Sequence, residues 1–299
     1  MTSIPFERNF EAPYGICMTV APNIRRVLAP NPGPFTFKGT GVYIVGADNV
    51  AVIDPGPDIP AHLQALKQAL SGRRITHILL THTHADHSPA AAPLKSWSGA
   101  RTYAFGPHPS RSEETQVKTE EDGDTAFVPD VRVKDGEVLT GDGFSIACVH
   151  TPGHTSNHMC YALREEQALF TGDHVMGWST SVVVPPDGDM AAYRASLAKL
   201  LRRDDRILWP THGGPIRDPK PFLKAYLDHR AEREAQILQC LEEGVSTIPK
   251  IVARIYAGID KRLYPAAGVT VLAHLIELAG QGRVLAEPKV ELSAKFRRR

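Results

Sequence analysis

A chain of 299 residues, 42% apolar and 22% charged, is long enough for one large domain or two ordinary ones and has the composition of a folded globular protein. Its formal net charge of +1 sets up no global field that would draw it to nucleic acid or a membrane surface. The opening MTSIPFERNFEAP does not read as a signal peptide and no apolar run approaches membrane-spanning length, so a cytoplasmic location without a membrane partner is expected.

In chain order, GVYIVG (41–46) and VAVIDPG (50–56) predict a pair of strands, and IPAHLQALKQALSG (59–72) a helix with a glycine stop. ITHILLTH (75–82) predicts a buried strand. Residues 106–126 are polar and aperiodic, which predicts an exposed or mobile loop. Further strands are expected at 101–105, 144–150, 159–163, 167–171 and 206–213, and an amphipathic helix at 189–203. The pattern changes near residue 219, where a long helix runs to the glycine at 244. Two more helical segments and two short β runs follow, the order of a small winged-helix unit. The basic tail KFRRR is expected to fray. A first domain over 1–218 and a second over 219–299 result. Cys17, Cys148, Cys160 and Cys240 are far apart and form no CxxC pair, so buried free thiols are expected.

LLTHTHADHSPAA (79–91) concentrates His82, His84, Asp86 and His87 just after an apolar run. On a helix, His82 and His84 would point nearly opposite ways. Beyond a strand, positions i and i+2 share a face and can grip one cation. Asp86 and His87 then come off a turn and suit a neighbouring cation. Ser88 is placed to cap a helix that Pro89 begins. Downstream, His154, Asp173 and His212 each follow an apolar run next to glycine, as expected when several strands deliver ligands to one sheet edge. Asp54 is a candidate support for the histidine turn, a turn-forming aspartate being the alternative. His62, His77, His108, His229 and His274 are expected to be satisfied or solvated side chains.

THTHADH (81–87), PGHT (152–155), TGD (171–173) and THG (211–213) resemble, in order and separation, the motifs of the metallo-β-lactamase superfamily. That resemblance implies an α/β fold, a four-layer αββα sandwich followed here by the small winged-helix domain. It implies two zinc ions per chain, iron or manganese being alternatives: one on His82, His84 and His154, the other on Asp86, His87 and His212, with Asp173 between them. NHMCYAL, TGDHVMGWSTSVV, HRAEREAQIL and the carboxy-terminal LYPAAGVTVLAHLIELAGQGRV look like the subgroup of β-lactamase-like endoribonucleases with a winged-helix tail. The chain departs from it at Trp178-Ser179-Thr180, at His174 and in the loop 106–126.

The expected activity is metal-dependent hydrolysis of a small acyl compound (ester, thioester or lactone) by a hydroxide bridging the two ions, with Asp86 orienting it. Single-stranded RNA is the alternative substrate, and iron-dependent sulfur oxidation an alternative of another class. His158, Ser179 and Thr180 are candidate substrate contacts. The second helix of the winged unit carries no Lys or Arg, so DNA reading is not expected; the unit is expected to pack on the catalytic domain or on a second subunit of a homodimer.

Overall fold

The computed structural model describes residues 3–109 and 123–299. Seven strands form one sheet in sequential order: β1 (Met18–Ala21), β2 (Ile24–Leu28), β3 (Gly41–Val45), β4 (Asn49–Ile53), β5 (Arg74–Leu79), β6 (Arg101–Ala104) and β7 (Val131–Arg132). A second sheet has the order β12-β11-β10-β9-β8, from β8 (Val138–Gly141), β9 (Phe144–His150), β10 (Met159–Leu163), β11 (Ala168–Gly172) and β12 (Ile207–Pro210). Helices α1 (Pro60–Ala69) and α2 (Ala91–Ser98) cover the first sheet; α3 (Met190–Leu201) and α4 (Pro219–Glu242) cover the second.

Side-chain alternation explains this layering. Successive residues of a strand face opposite sides, and both faces of these strands are buried. In β3, Val42 and Ile44 face the helix layer while Tyr43 and Val45 face the other sheet. In β4, Val50 and Val52 point outward and Ala51 and Ile53 inward. In the second sheet Cys160, Ala162 and Leu169 meet the helices, whereas Met159, Tyr161 and Phe170 meet the first sheet. Near-continuous apolar strands are the sequence signature of a sheet buried on both faces. The result is the four-layer αββα sandwich.

The carboxy-terminal unit contains α5 (Ile248–Ile255), α6 (Tyr264–Gly280) and the antiparallel pair β13 (Val284–Glu287) and β14 (Lys295–Arg298). The end of α4 joins its core, where Ile237 and Leu241 pack with Ile251, Val271, Leu275 and Phe296. Two expectations are corrected here. The tail is not frayed: KFRR is β14, Phe296 is buried, and its N–H donates to the Ser246 carbonyl. The segment Lys261–Gly280 is, by length and composition, long and apolar enough to cross a membrane; in the fold, α6 supplies the core of this unit.

Two further expectations change. Ser88 caps no helix, because α2 begins at Ala91; the Ser88 hydroxyl instead donates to Asp124. The loop expected at 106–126 lies partly outside the described residues, at 110–122. Its flanks are pinned to the histidine turn, with Asp124 N–H donating to the Thr83 carbonyl and Gly123 bridged to His84.

Candidate metal centre

Five strand ends converge on one edge of the sandwich. β4 delivers Asp54, β5 the segment 81–87, β9 His154, β11 Asp173 and β12 His212. Ligand atoms of His82, His84 and His154 all lie within 4.8 Å of one another, as do those of His82, His87 and Asp173, and those of Asp86, His87 and His212. All seven predicted positions are therefore brought together. His82 Nε2 and His154 Nε2 lie 2.9 and 3.2 Å from His84 Nδ1. Asp86 Oδ2 lies 3.0 Å from His212 Nε2 and 3.3 Å from His87 Nε2. The two Asp173 oxygens lie 3.5 Å from His87 Nε2 and 3.4 Å from His212 Nε2.

The outer ring nitrogens fix which nitrogen faces inward. His154 Nδ1 donates to the Val182 carbonyl at 2.7 Å and His212 Nδ1 to the Gly39 carbonyl at 3.1 Å. His87 Nδ1 donates to Asp54 Oδ2 at 2.9 Å. His82 Nδ1 meets the Thr81 hydroxyl, which itself donates to Asp54 Oδ2. The inward nitrogens of His82 and His154 are thus lone pairs aimed at a third imidazole nitrogen. Burial lowers the pKa of His82, His84 and His154, with neighbouring imidazoles adding to the effect at His82 and His84. Neutral nitrogens packed this closely repel unless a cation sits among them, and neutral imidazole is the metal-binding form.

The other half of the site is charged. Burial lowers the pKa of His87 and His212, but the carboxylates of Asp86 and Asp173 outweigh it; His87 is raised well above the usual range and His212 to about 10. Burial acts the opposite way on Asp86 and Asp173, and the two imidazoles outweigh it, so both carboxyls are held below their usual range. Among the described residues, His87 Nε2 and Asp173 Oδ1 are buried with no hydrogen bond, their mutual contact being 3.5 Å. The donor set, three neutral imidazoles beside two imidazoles and two carboxylates, fits one or two divalent cations with nitrogen and oxygen ligands.

Two glycines permit these approaches. Gly153 has φ +140°, and a Cβ there would sit 2.2 Å from the Tyr193 Cα at the start of α3. Gly172 has φ +51°, and its Cβ would meet His158 Nε2 and the Thr81 hydroxyl, each at 2.6 Å. These contacts account for the glycines of PGHT and TGD.

The candidate substrate contacts divide. His158 is fully buried, its Nδ1 against the Thr151 hydroxyl and its ring 5.2 Å from that of His82, so it packs beside the cluster. His174, one of the departures from the endoribonuclease subgroup, is also fully buried, against Tyr193. Ser179 and Thr180 are half-buried and line a cavity beside the centre. Sequence reading missed Thr40, whose hydroxyl donates to Asp86 at 3.2 Å, and Thr211, whose hydroxyl donates to Asp54 at 3.0 Å. Only Thr211 carried a signal, as the neighbour of His212 in THG. His108 lies nearer the centre than expected, with Nδ1 2.9 Å from the Thr83 hydroxyl.

The model of the metallo-beta-lactamase superfamily matches residues 36–212, and that of the beta-lactamase associated winged helix domain matches residues 247–291. The chain belongs to the metallo-beta-lactamase superfamily and carries the associated winged-helix domain. It is 32% identical over 285 residues to an atrochrysone carboxyl ACP thioesterase of Aspergillus terreus, covering 90% of this chain and 83% of that one. A second protein of that name, from Aspergillus chevalieri, is 30% identical over 90% of this chain and 84% of its own. Among solved structures, a metallo-beta-lactamase family protein from Thermus thermophilus superposes with TM-score 0.75 at 23% identity, over 94% of this chain and 100% of that one. A beta-lactamase domain protein from Burkholderia ambifaria gives 0.79 at 19% identity, over 99% and 97%. These two likenesses concern the fold.

Proposed function

We propose that the protein is a zinc-dependent thioester hydrolase with two ions per chain. The observation that carries the reading is the convergence of seven His and Asp ligands, with the inward nitrogens of His87, His154 and His212 selected by outer hydrogen bonds. His82, His84 and His154 would hold one ion, Asp86, His87 and His212 the other, with Asp173 between them. Bound there, zinc supplies Lewis acidity toward an acyl oxygen and water whose pKa is brought down to about 7.

The chain's own residues do the remaining work. The Asp86 side chain is 18% exposed against 0–5% for His87, His212 and Asp173, so it is the most open of these four to solvent. Its Oδ2 accepts from the Thr40 hydroxyl, which fixes the carboxylate where it would ligate the ion and orient an attacking water. A thiolate, with a parent pKa of about 8.5, is a leaving group that needs no proton to depart. That chemistry, together with the thioesterase names of the relatives, supports a thioester over an RNA phosphodiester.

The test is a panel of acyl thioesters, lactones, a β-lactam and labelled single-stranded RNA, run with the native protein and Asp86→Asn. Thioesters should be hydrolysed fastest, and the variant should lose about 10²–10⁴-fold in kcat. Asp86-dependent cleavage of RNA with no thioester turnover would refute the reading.

A further inference from the structure

Among the described residues, Arg230 has no carboxylate counterion. It projects from α4 and is 1% exposed. Its Nη2 donates to the Ser181 carbonyl at 2.6 Å, and its guanidinium lies 4.9 Å from the centre of the Tyr193 ring. Its Nε is buried with no hydrogen-bond partner, and among the described residues no carboxylate pairs with it. A guanidinium removed from water with its Nε unmet and its charge unpaired is costly and favours an anion beside it.

Arg230 lines a cavity of about 140 Å³ between the catalytic domain and the carboxy-terminal unit, close to the ~150 Å³ that accommodates one benzene molecule. Phe35, Trp178 and Thr180 wall it on one side, Tyr256 and Leu263 on the other. Two loops of the metal centre form its near walls. The loop carrying Phe35 continues to Gly39 and Thr40, which hold His212 and Asp86. The loop carrying Trp178 and Thr180 continues to Val182, which holds His154. Phe37 stacks on Trp178 at 4.7 Å and ties the two loops together.

We propose that this cavity receives the acyl part of the substrate, an apolar or aromatic body of about one ring bearing a carboxylate that pairs with Arg230. The proposal rests on the thioester reading. A phosphate on the thiol carrier would offer the same oxygen chemistry; the aromatic walls and one-ring size favour the acyl carboxylate.

The test measures binding by calorimetry to the metal-loaded full chain, with benzoate, benzamide and inorganic phosphate as probes. Two variants accompany it. Arg230→Gln keeps a donor for the Ser181 carbonyl, and Ala266→Phe fills the cavity from a half-buried wall position while leaving Arg230 in place. Benzoate should bind at least about tenfold more tightly than benzamide, the range of a charged hydrogen bond, and both variants should lose that preference. If Arg230→Gln fails to fold, Ala266→Phe carries the test. Equal binding of the two probes, or a preference that survives in the folded variants, would overturn the proposal, survival placing benzoate at the metal centre. Arg230-dependent phosphate binding tighter than that of benzoate would also overturn it, in favour of the carrier's phosphate. Failure of the thioester reading would show differently, as no thioester turnover by protein that still prefers benzoate.

Discussion

The Asp54 carboxylate accepts from His87 Nδ1 at 2.9 Å, and the same oxygen accepts from the hydroxyls of Thr81 and Thr211 at 2.8 and 3.0 Å. Its other oxygen accepts from the Thr81 backbone N–H at 2.7 Å. One buried side chain thus orients His87 directly, His82 through Thr81, and the segment leading to His212. Asp54 has φ +49°, a conformation asparagine tolerates better than most residues. Asp54→Asn therefore preserves the turn while removing the acceptor charge. It should weaken metal affinity by about 10–100-fold, and Asp54→Ala should add a loss of stability from backbone strain. Metal content after dialysis against a graded chelator checks this; native affinity in Asp54→Asn would remove Asp54 from the account.

Proton release should distinguish the two halves of the centre. His212 and His87, both raised by the Asp86 and Asp173 carboxylates, His212 to about 10, should carry protons at neutral pH in the metal-free protein. Each must lose its proton to become a ligand. His82, His84 and His154 have lowered pKa values and are already neutral. Filling the site on Asp86, His87 and His212 should therefore release protons from the protein, whereas filling the three-histidine site should release none from its ligands. The affinity of the first site should fall as pH is lowered. Calorimetric zinc titrations in buffers of different ionisation enthalpy read the difference; equal release for both ions would show that the carboxylates do not hold the protons on His87 and His212.

The glycine turns give a stability test. Gly136 has φ +79° with open space at the Cβ position, whereas Gly153 would place a Cβ 2.2 Å from backbone of Tyr193. Gly136→Ala should cost about 1 kcal/mol from conformation alone. Gly153→Ala should cost several times more and release metal, because it displaces the turn that carries His154. Denaturant unfolding and metal content measure both effects.

The carboxy-terminal strand gives another. Phe296 is 2% exposed in the core of the winged unit, so Phe296→Ala should destabilise by about 3–5 kcal/mol. A change below about 1 kcal/mol in denaturant unfolding would mean that the tail is frayed after all.

Much of the centre is legible because each ligand carries a local signal: a strand followed by two histidines at i and i+2 implies one face, and His154, Asp173 and His212, though distant in the chain, each follow an apolar run. Asp54 was legible as a candidate for the same reason. The supports from Gly39, Thr40 and Val182 were not, since a backbone carbonyl leaves no residue-type signal and Thr40 reaches Asp86 only through tertiary folding. The strands Met18–Ala21 and Ile24–Leu28 escaped notice because Arg25 and Arg26 interrupt the apolar run; Arg26 is buried, donating to the Gly213 carbonyl. The tail misled for a similar reason: three arginines outweighed the single Phe296 that anchors β14. His158 and His174 sit beside motifs in sequence, but proximity along a chain does not say which side of a sheet edge a ring takes.

Metal stoichiometry tests the central claim most directly. Native protein purified without added metal, assayed by elemental analysis and then for thioester hydrolysis, should contain two zinc ions per chain, lose hydrolysis on chelation and regain it with zinc. One iron per chain, or full hydrolysis by metal-free protein, would contradict the account.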